Sequence, residues 1–274
     1  MAAEPNVPPG VDPSVPSPAR IYDYILGGSY HFRADREVAE RAMAAVPEVR
    51  DIILANRGFH GRAARWIAEQ GVDQFIDVGS GLPTVRNTHE TVRRVIPEAR
   101  VAYVDIDPMV AAYAGELLTD PERTRVIIAD ARDPDVVLGH PEITGLIDFT
   151  RPVGFLITAM IHFVTDERDP WRIMSRYVSA LAPGSYVALS HATADKAPPR
   201  SVEAGRETYA SASQQLNFRS KAEVARFFDG LELMPPYPGA EPGLAYVGEW
   251  GAEDPLLADS DGSRWNYCGV ARRP

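Results

Sequence analysis

A chain of 274 residues with 28 basic against 38 acidic side chains, a formal charge of -10, has no broad basic surface to release counterions from a polyphosphate backbone, which argues against nucleic acid as a partner. Apolar residues at 45% and charged ones at 24% suffice for a normal buried core and confine disorder to the ends. The lone Cys268 excludes an intrachain disulfide, and neither an export signal at Met1 to Pro5 nor an apolar run of membrane-spanning length is present, so the expectation is a cytoplasmic protein with no membrane partner.

Taken in order, residues 1–18 hold Pro5, Pro8, Pro9, Pro13, Pro16 and Pro18 among small residues, which predicts an extended tail or a surface-hugging arm. Residues 19–274 are expected to form one domain, opening with a helical cap over 19–71. In that cap an aromatic-rich turn at Gly27-Gly28 leads to a helix that Asp35 can cap, with Val38, Ala42 and Ala45 on one face. A longer helix is predicted from about Val49 to Glu69, laying Ile53, Ala63, Trp66 and Ile67 against a sheet and stopping at Gly71. From Gln74 the pattern changes to short, almost wholly apolar runs alternating with helical stretches, the mark of parallel strands covered on both faces. These runs are 75–79, 100–105, 125–130, 153–158 and 185–190, the last reached through a helix from about Trp171 to Leu181. The expected fold is α/β, a doubly wound, mostly parallel, seven-stranded sheet with extra N-terminal helices. The regularity breaks over 193–216, read as a lid with a helix around Val202 to Gln215. Ser220 and Glu223 then form a capping box, and GLELM and NYCGVARR read as the last two strands.

The strongest local signal is FIDVGSGLP, in which a strand ends near Asp77 and Gly79-Ser80-Gly81 turn toward the next helix. Glycines there allow a ligand close to the backbone, and free amides at a helix N-terminus would stabilise negative charge. A carboxylate and a pyrophosphate are served equally well. A dinucleotide fingerprint needs a third glycine where this chain has Thr84, which weakens a nicotinamide reading. Asp105 closes the second strand, where a carboxylate accepts from ribose hydroxyls of either ligand. Asp130 closes the third.

This series of acids at three successive strand ends resembles the class I S-adenosylmethionine-dependent methyltransferases, and LAPGSYVALSH is similar to that family's turn into its fifth strand. ARIYDYILGGSYHF, DRE, ANRGF, YVDIDP and HFVTDERDP, in this order, resemble a bacterial methyltransferase-like family of unknown substrate. The resemblance runs from about residue 19 to 233 and fits the segment 235–255 least. It implies S-adenosyl-L-methionine as cofactor. Gly79, Ser80 and Gly81 would hold its methionine part, Asp105 with Ile106 the ribose, and Asp130 with Ala131 the adenine amino group. Asp77 either touches the ligand or accepts backbone N–H bonds beneath the loop, and Ala159, after the fourth strand, is assigned to the same pocket.

Other positions are open to plainer readings. His162 and His191 follow the fourth and fifth strands and could act as general bases, or serve as hydrogen-bonded structural histidines. Tyr22, among the aromatics around Gly27-Gly28, could fold over a sulfonium, but plain packing is the preferred account. Arg20, Asn56 and Arg57 could bind the methionine carboxylate or simply line a surface. No histidine pair has metal-ligand spacing, so no metal is predicted. Pro235-Pro236-Tyr237 stands at the wrong strand for a nucleic-acid amino-methyltransferase motif and reads as a turn. The function expected is methyl transfer to an unidentified small molecule. The alternatives are a non-catalytic sensor of S-adenosylmethionine and, last, an NAD-dependent oxidoreductase; oligomeric state is not legible.

Overall fold

Proline at the first position and glycine just past the end bracket helix α1 (Pro18–Leu26), whose terminal Gly27 takes φ +85 and returns its N–H to Tyr24 O at 2.9 Å. The expected aromatic turn is therefore a helix, stopped by glycine. Helix α2 (Arg33–Ala45) is capped by Asp35 from within its first turn, the carboxylate accepting from Phe32 N–H at 2.8 Å. Its buried face is Val38, Ala39 and Ala42; Ala45, the last residue of the helix, is exposed. Helix α3 (Val49–Glu69) has the predicted span. Ala63 and Ile67 pack on the sheet beside Phe75 and Leu156, whereas Ile53 joins Ile21, Ile25 and Val38 in a small core among the three helices.

The computed structural model describes residues 6–82, 87–117, 120–197, 199, 202–203 and 215–274. Thr84 and most of the predicted lid, 193–216, with its helix at 202–215, lie outside them. Strands β1 (Gln74–Val78), β2 (Arg100–Asp105), β3 (Thr124–Ile128), β4 (Gly154–Thr158), β5 (Tyr186–Ala192), β6 (Glu232–Leu233), β7 (Ala245–Tyr246) and β8 (Asn266–Arg272) form one sheet. Seven lie in the order β3-β2-β1-β4-β5-β8-β6, with β1 to β5 parallel and β8 antiparallel to β5. The two-residue β7, inside the irregular segment 235–255, pairs with β8 off this path.

Neighbouring residues of each central strand face opposite cores, which explains the unbroken apolar runs. Ile76, Val104 and Phe155 face helices α6 (Pro134–Leu138), α7 (Pro141–Thr144) and α8 (Pro170–Ala180); Phe75, Val101 and Leu156 face α3 and α4 (Thr88–Arg93). Helix α5 (Pro108–Leu117) follows β2, and the N-terminal arm lies on it, with Tyr113 Oη donating to Asn6 O at 3.1 Å. The strand order turns outward in both directions from β1 and β4, so their C-terminal ends open a crevice between them.

Candidate functional site

A cavity open to solvent occupies that crevice. Gly79, Ser80 and Gly81 line it, the two glycines at φ +69 and +65. A Cβ on Gly79 would stand 2.2 Å from Met160 Cγ, so glycine is required by packing as well as by conformation. The amides of this loop are not free as expected. Gly79 N–H and Ser80 N–H both donate to Val104 O, at 2.8 and 3.2 Å, and Gly81 N–H donates to Asp105 Oδ2 at 2.8 Å. Helix α4 begins at Thr88, capped at Asn87.

Asp105, buried at the tip of β2, accepts from Gly81 and, through Oδ1, from Asp107 N–H at 2.9 Å. Burial pushes its carboxyl up to about 6 against these bonds. Each oxygen keeps a further lone pair. Ile106 beside it lines the cavity while 44% exposed, an apolar surface with nothing yet to cover it. Asp130 also lines the cavity, with Ala131, and is gripped by Arg132, whose Nε lies 2.8 and 2.9 Å from its two oxygens. Burial would raise its carboxyl, but these bonds outweigh it and hold the group below its usual range.

Beneath the loop runs a directional network. Thr88 Oγ1 donates to Asp77 Oδ2 at 2.6 Å, His60 Nε2–H donates to Thr88 Oγ1 at 2.7 Å, and Thr158 Oγ1 donates to His60 Nδ1 at 2.9 Å. Burial takes the His60 imidazole down to about 4, so it is neutral. His60 escaped sequence reading, although Ile53, Asn56, Arg57 and His60 recur at spacings of three, four and seven on α3, a helical stripe that faces the cavity. A second chain joins the same helix to β5. Ala159 N–H donates to Ser190 Oγ, Ser190 Oγ to Asn56 Oδ1, Asn56 Nδ2 to Tyr22 Oη, and Tyr22 Oη to Ile53 O. Ala159, at φ +52, is a non-glycine held in the left-handed region at the cavity wall.

Three expectations need correction. Arg20 does not line the cavity; it is buried, its Nε 3.1 Å from Asp35 and its Nη1 3.7 Å from Asp107, so its charge is spent inside the fold. His191 does not line it either. Its Nδ1–H donates to Ala192 O at 2.7 Å and its Nε2 accepts from Arg219 at 2.6 Å, leaving no nitrogen to act as a base. His162 does line the cavity, but Nδ1 accepts from Ala192 N–H at 3.3 Å and burial takes the ring down to about 3. The neutral ring then carries its proton on Nε2 and is a donor, not a base.

The wall beyond β4 is apolar and aromatic, with Val49, Ile53, Phe163, Leu216, Phe218 and Trp265, none of which sequence reading assigned to a site. They meet only through the fold, from α3, the turn before α8, the stretch 216–218 well after β5 and the turn into β8. Among the described residues no three His, Cys, Asp or Glu gather as for a metal ion, and no helix is long and apolar enough to cross a membrane.

Comparison with known proteins follows the same lines. A crystal structure of a candidate methyltransferase from Thermobifida fusca YX is 38% identical, covers 97% of this chain and 98% of that one, and superposes with a TM-score of 0.88. That of a DUF574 family protein from Streptomyces avermitilis is 39% identical, with coverage of 96% and 99% and a TM-score of 0.88. An O-methyltransferase family protein from Burkholderia thailandensis, 11% identical over 82% of this chain and 58% of that one, shares the fold with a TM-score of 0.52. None of the curated proteins matches this sequence. The match to the family described as S-adenosyl methyltransferase, whose cofactor is S-adenosylmethionine, runs over residues 5–274. The chain therefore belongs to the S-adenosyl methyltransferase family and has the mostly parallel α/β sheet of the class I enzymes.

Proposed function

We propose that this chain turns over S-adenosylmethionine to methylate a small molecule, binding the cofactor along the tips of β1, β2 and β3. The observation that carries this reading is sheet order: β3-β2-β1 are neighbours, so Asp130, Asp105 and the Gly79–Gly81 loop line one cavity in that sequence. The residues suit the cofactor. Asp105 retains lone pairs for two ribose hydroxyls, exposed Ile106 supplies an apolar face for a purine, and Asp130 with Ala131 stands where the adenine amino group would be read. Gly79 and Gly81 keep side chains away from the methionine part, while Arg57 brings positive charge for its carboxylate. Asp77 acts through Thr88 and His60 to hold the floor rather than by touching the ligand.

When bound, the cofactor supplies a methyl group on a sulfonium, already reactive toward a nucleophile. The protein's part is alignment and exclusion of water. Tyr22, Asn56 and the strained Ala159, tied together by the buried Ser190, form a fixed stretch of lining where the cofactor half meets the far half of the cavity, suited to holding an acceptor in line. The reading includes one domain over 19–274 with 19–71 as its cap, a cytoplasmic setting suited to the buried, unpaired Cys268, and no nucleic-acid partner.

Titration calorimetry with S-adenosylhomocysteine and NAD in parallel tests the cofactor. Binding of the first and not the second is expected; the reverse overturns the reading. Metabolite extracts incubated with methyl-labelled cofactor then test turnover, because a sensor would bind and transfer no label.

A further inference from the structure

The sheet order that groups the carboxylates also separates them from the rest of the cavity. Asp105 and Asp77 lie on β2 and β1 and Asp130 just past β3, whereas Ala192 and Asn266 line the cavity from β5 and β8 and His162 from the turn after β4. At about 4.8 Å per strand, β2 and β8 stand roughly 19 Å apart. The charged lining residues, Arg57, Asp77, Asp105, Asp130 and Arg132, all fall on the first side, at its strand ends or, for Arg57, reaching from α3 to the neighbourhood of Asp77 and Gly81. Among the described residues the far half therefore offers no carboxylate to an ammonium group and no cation to a phosphate.

Two polar side chains in that half have no partner for one end. His162 is 6% exposed, its Nδ1 is occupied by Ala192 N–H, and its Nε2 has no hydrogen-bond partner among the described residues. Asn266 is 4% exposed, and its carboxamide has no partner there at all. Neither the free His162 nitrogen nor the Asn266 carboxamide is sealed from solvent, and each lines the cavity, so both face the space a ligand would fill. They are neighbours: Ala192, which bonds His162, is the register partner of Asn266 across β5 and β8. His162 Nε2–H can only donate, while the Asn266 carboxamide both donates and accepts. A hydroxyl satisfies both at once, accepting from the histidine and donating to the amide oxygen. Around them lie the rings of Phe163, Phe218 and Trp265, with Val49 and Ile53 opposite on α3. Such walls favour an aromatic body.

We propose that this half of the cavity is the acceptor site for an uncharged aromatic compound bearing a hydroxyl group, recognised at the hydroxyl by His162 Nε2–H and the Asn266 carboxamide. The assignment rests on the cofactor reading above. Specificity comes from two directions: the hydroxyl pairs with two polar groups that line the cavity, and a cation would be stripped of water with no counter-charge to meet.

The test uses the full chain saturated with S-adenosylhomocysteine, titrated with 2-naphthol, 2-methylnaphthalene and 2-naphthylmethylamine, the last a cation at pH 7. The naphthol should bind at least about tenfold more tightly than the amine, and His162→Phe and Asn266→Leu should each weaken it about tenfold while leaving 2-methylnaphthalene and S-adenosylhomocysteine affinities unchanged. The probe comparison on unaltered protein stands even if a variant does not fold. Equal or tighter binding of the amine, failure of the naphthol to bind, or variants that retain its affinity would each overturn the assignment. If S-adenosylhomocysteine itself does not bind, the cofactor reading fails and this site falls with it; if it binds and the naphthol does not, only this assignment is lost.

Discussion

Asp105 is held between two demands. Burial favours its neutral form, while the amides of Gly81 and Asp107 favour the anion, and the balance leaves the carboxyl near 6. Because the folded value is raised, the charged group costs stability above pH 6, and that cost disappears as pH falls below the ordinary carboxylate range. Ribose hydroxyls donating to the same oxygens favour the anion again, so cofactor binding should lower the value. Affinity for S-adenosylhomocysteine is expected to rise between pH 5 and 7 and to level off above. Asp105→Asn should weaken binding roughly ten- to a hundredfold, since two bonds to charge are exchanged for weaker ones and one amide must face N–H donors. It should also flatten the pH dependence. Calorimetry across pH on both proteins checks this, and an unaltered slope in the variant would reassign the titration. Asp105 was legible because strand, acid and glycine turn lie within one local pattern. His60, Phe218 and Asn266 were not, because each reaches the cavity from a different element. His191 was misread for the converse reason: its position at a strand end is local, but the Arg219 that occupies it is 28 residues away.

At the scale of elements, α1 shows how one buried cation organises a terminus. Arg20 reaches Asp35 on α2 and Asp107 beyond β2, and also donates to Val15 O in the arm, while Asp35 accepts from Ser17 N–H at 2.9 Å. Arm, two helices and the loop after Asp105 are thus tied at one point. Sequence periodicity gave α3 to the residue but missed α1, whose nine residues carry aromatics that resemble a turn; the tie that stabilises it is tertiary. Arg20→Met would strand two carboxylates, one fully buried and one 6% exposed. Breaking a buried pair in this way costs about 3–5 kcal/mol. In a chain of this size that lowers the melting temperature by roughly 6–20 °C, readable by calorimetry. Had Arg20 been a ligand for the cofactor's carboxylate, the variant would instead lose S-adenosylhomocysteine affinity with its melting temperature intact.

Over the whole molecule, the cavity is walled by α1 to α3 on one side and by the residues around Phe218 and Trp265 on the other, and α3 holds them together. The stripe Ile53, Asn56, Arg57 and His60 faces the cavity, while another side of the helix, through Phe59, Arg62 and Trp66, engages the C-terminal segment. Arg62 Nε donates to Trp250 O at 2.7 Å, and its Nη2 donates to Val247 O at 2.6 Å and Gly248 O at 3.3 Å. These carbonyls lie in the irregular segment 235–255, which the family match over residues 5–274 includes although nothing local in its sequence specifies its shape. Arg62 supplies that specification from 185 residues away. Arg62→Ala removes the charge-assisted bonds and leaves partly buried carbonyls unpaired, a loss of about 1.5–3 kcal/mol, or roughly 3–12 °C in melting temperature. Because the Arg62 guanidinium points away from the cofactor strands, S-adenosylhomocysteine affinity should stay within about twofold, well under the change expected from losing one hydrogen bond to charge. A variant that keeps its melting temperature but loses cofactor affinity would mean that the C-terminal segment shapes the cofactor half directly, rather than closing the far half of the cavity.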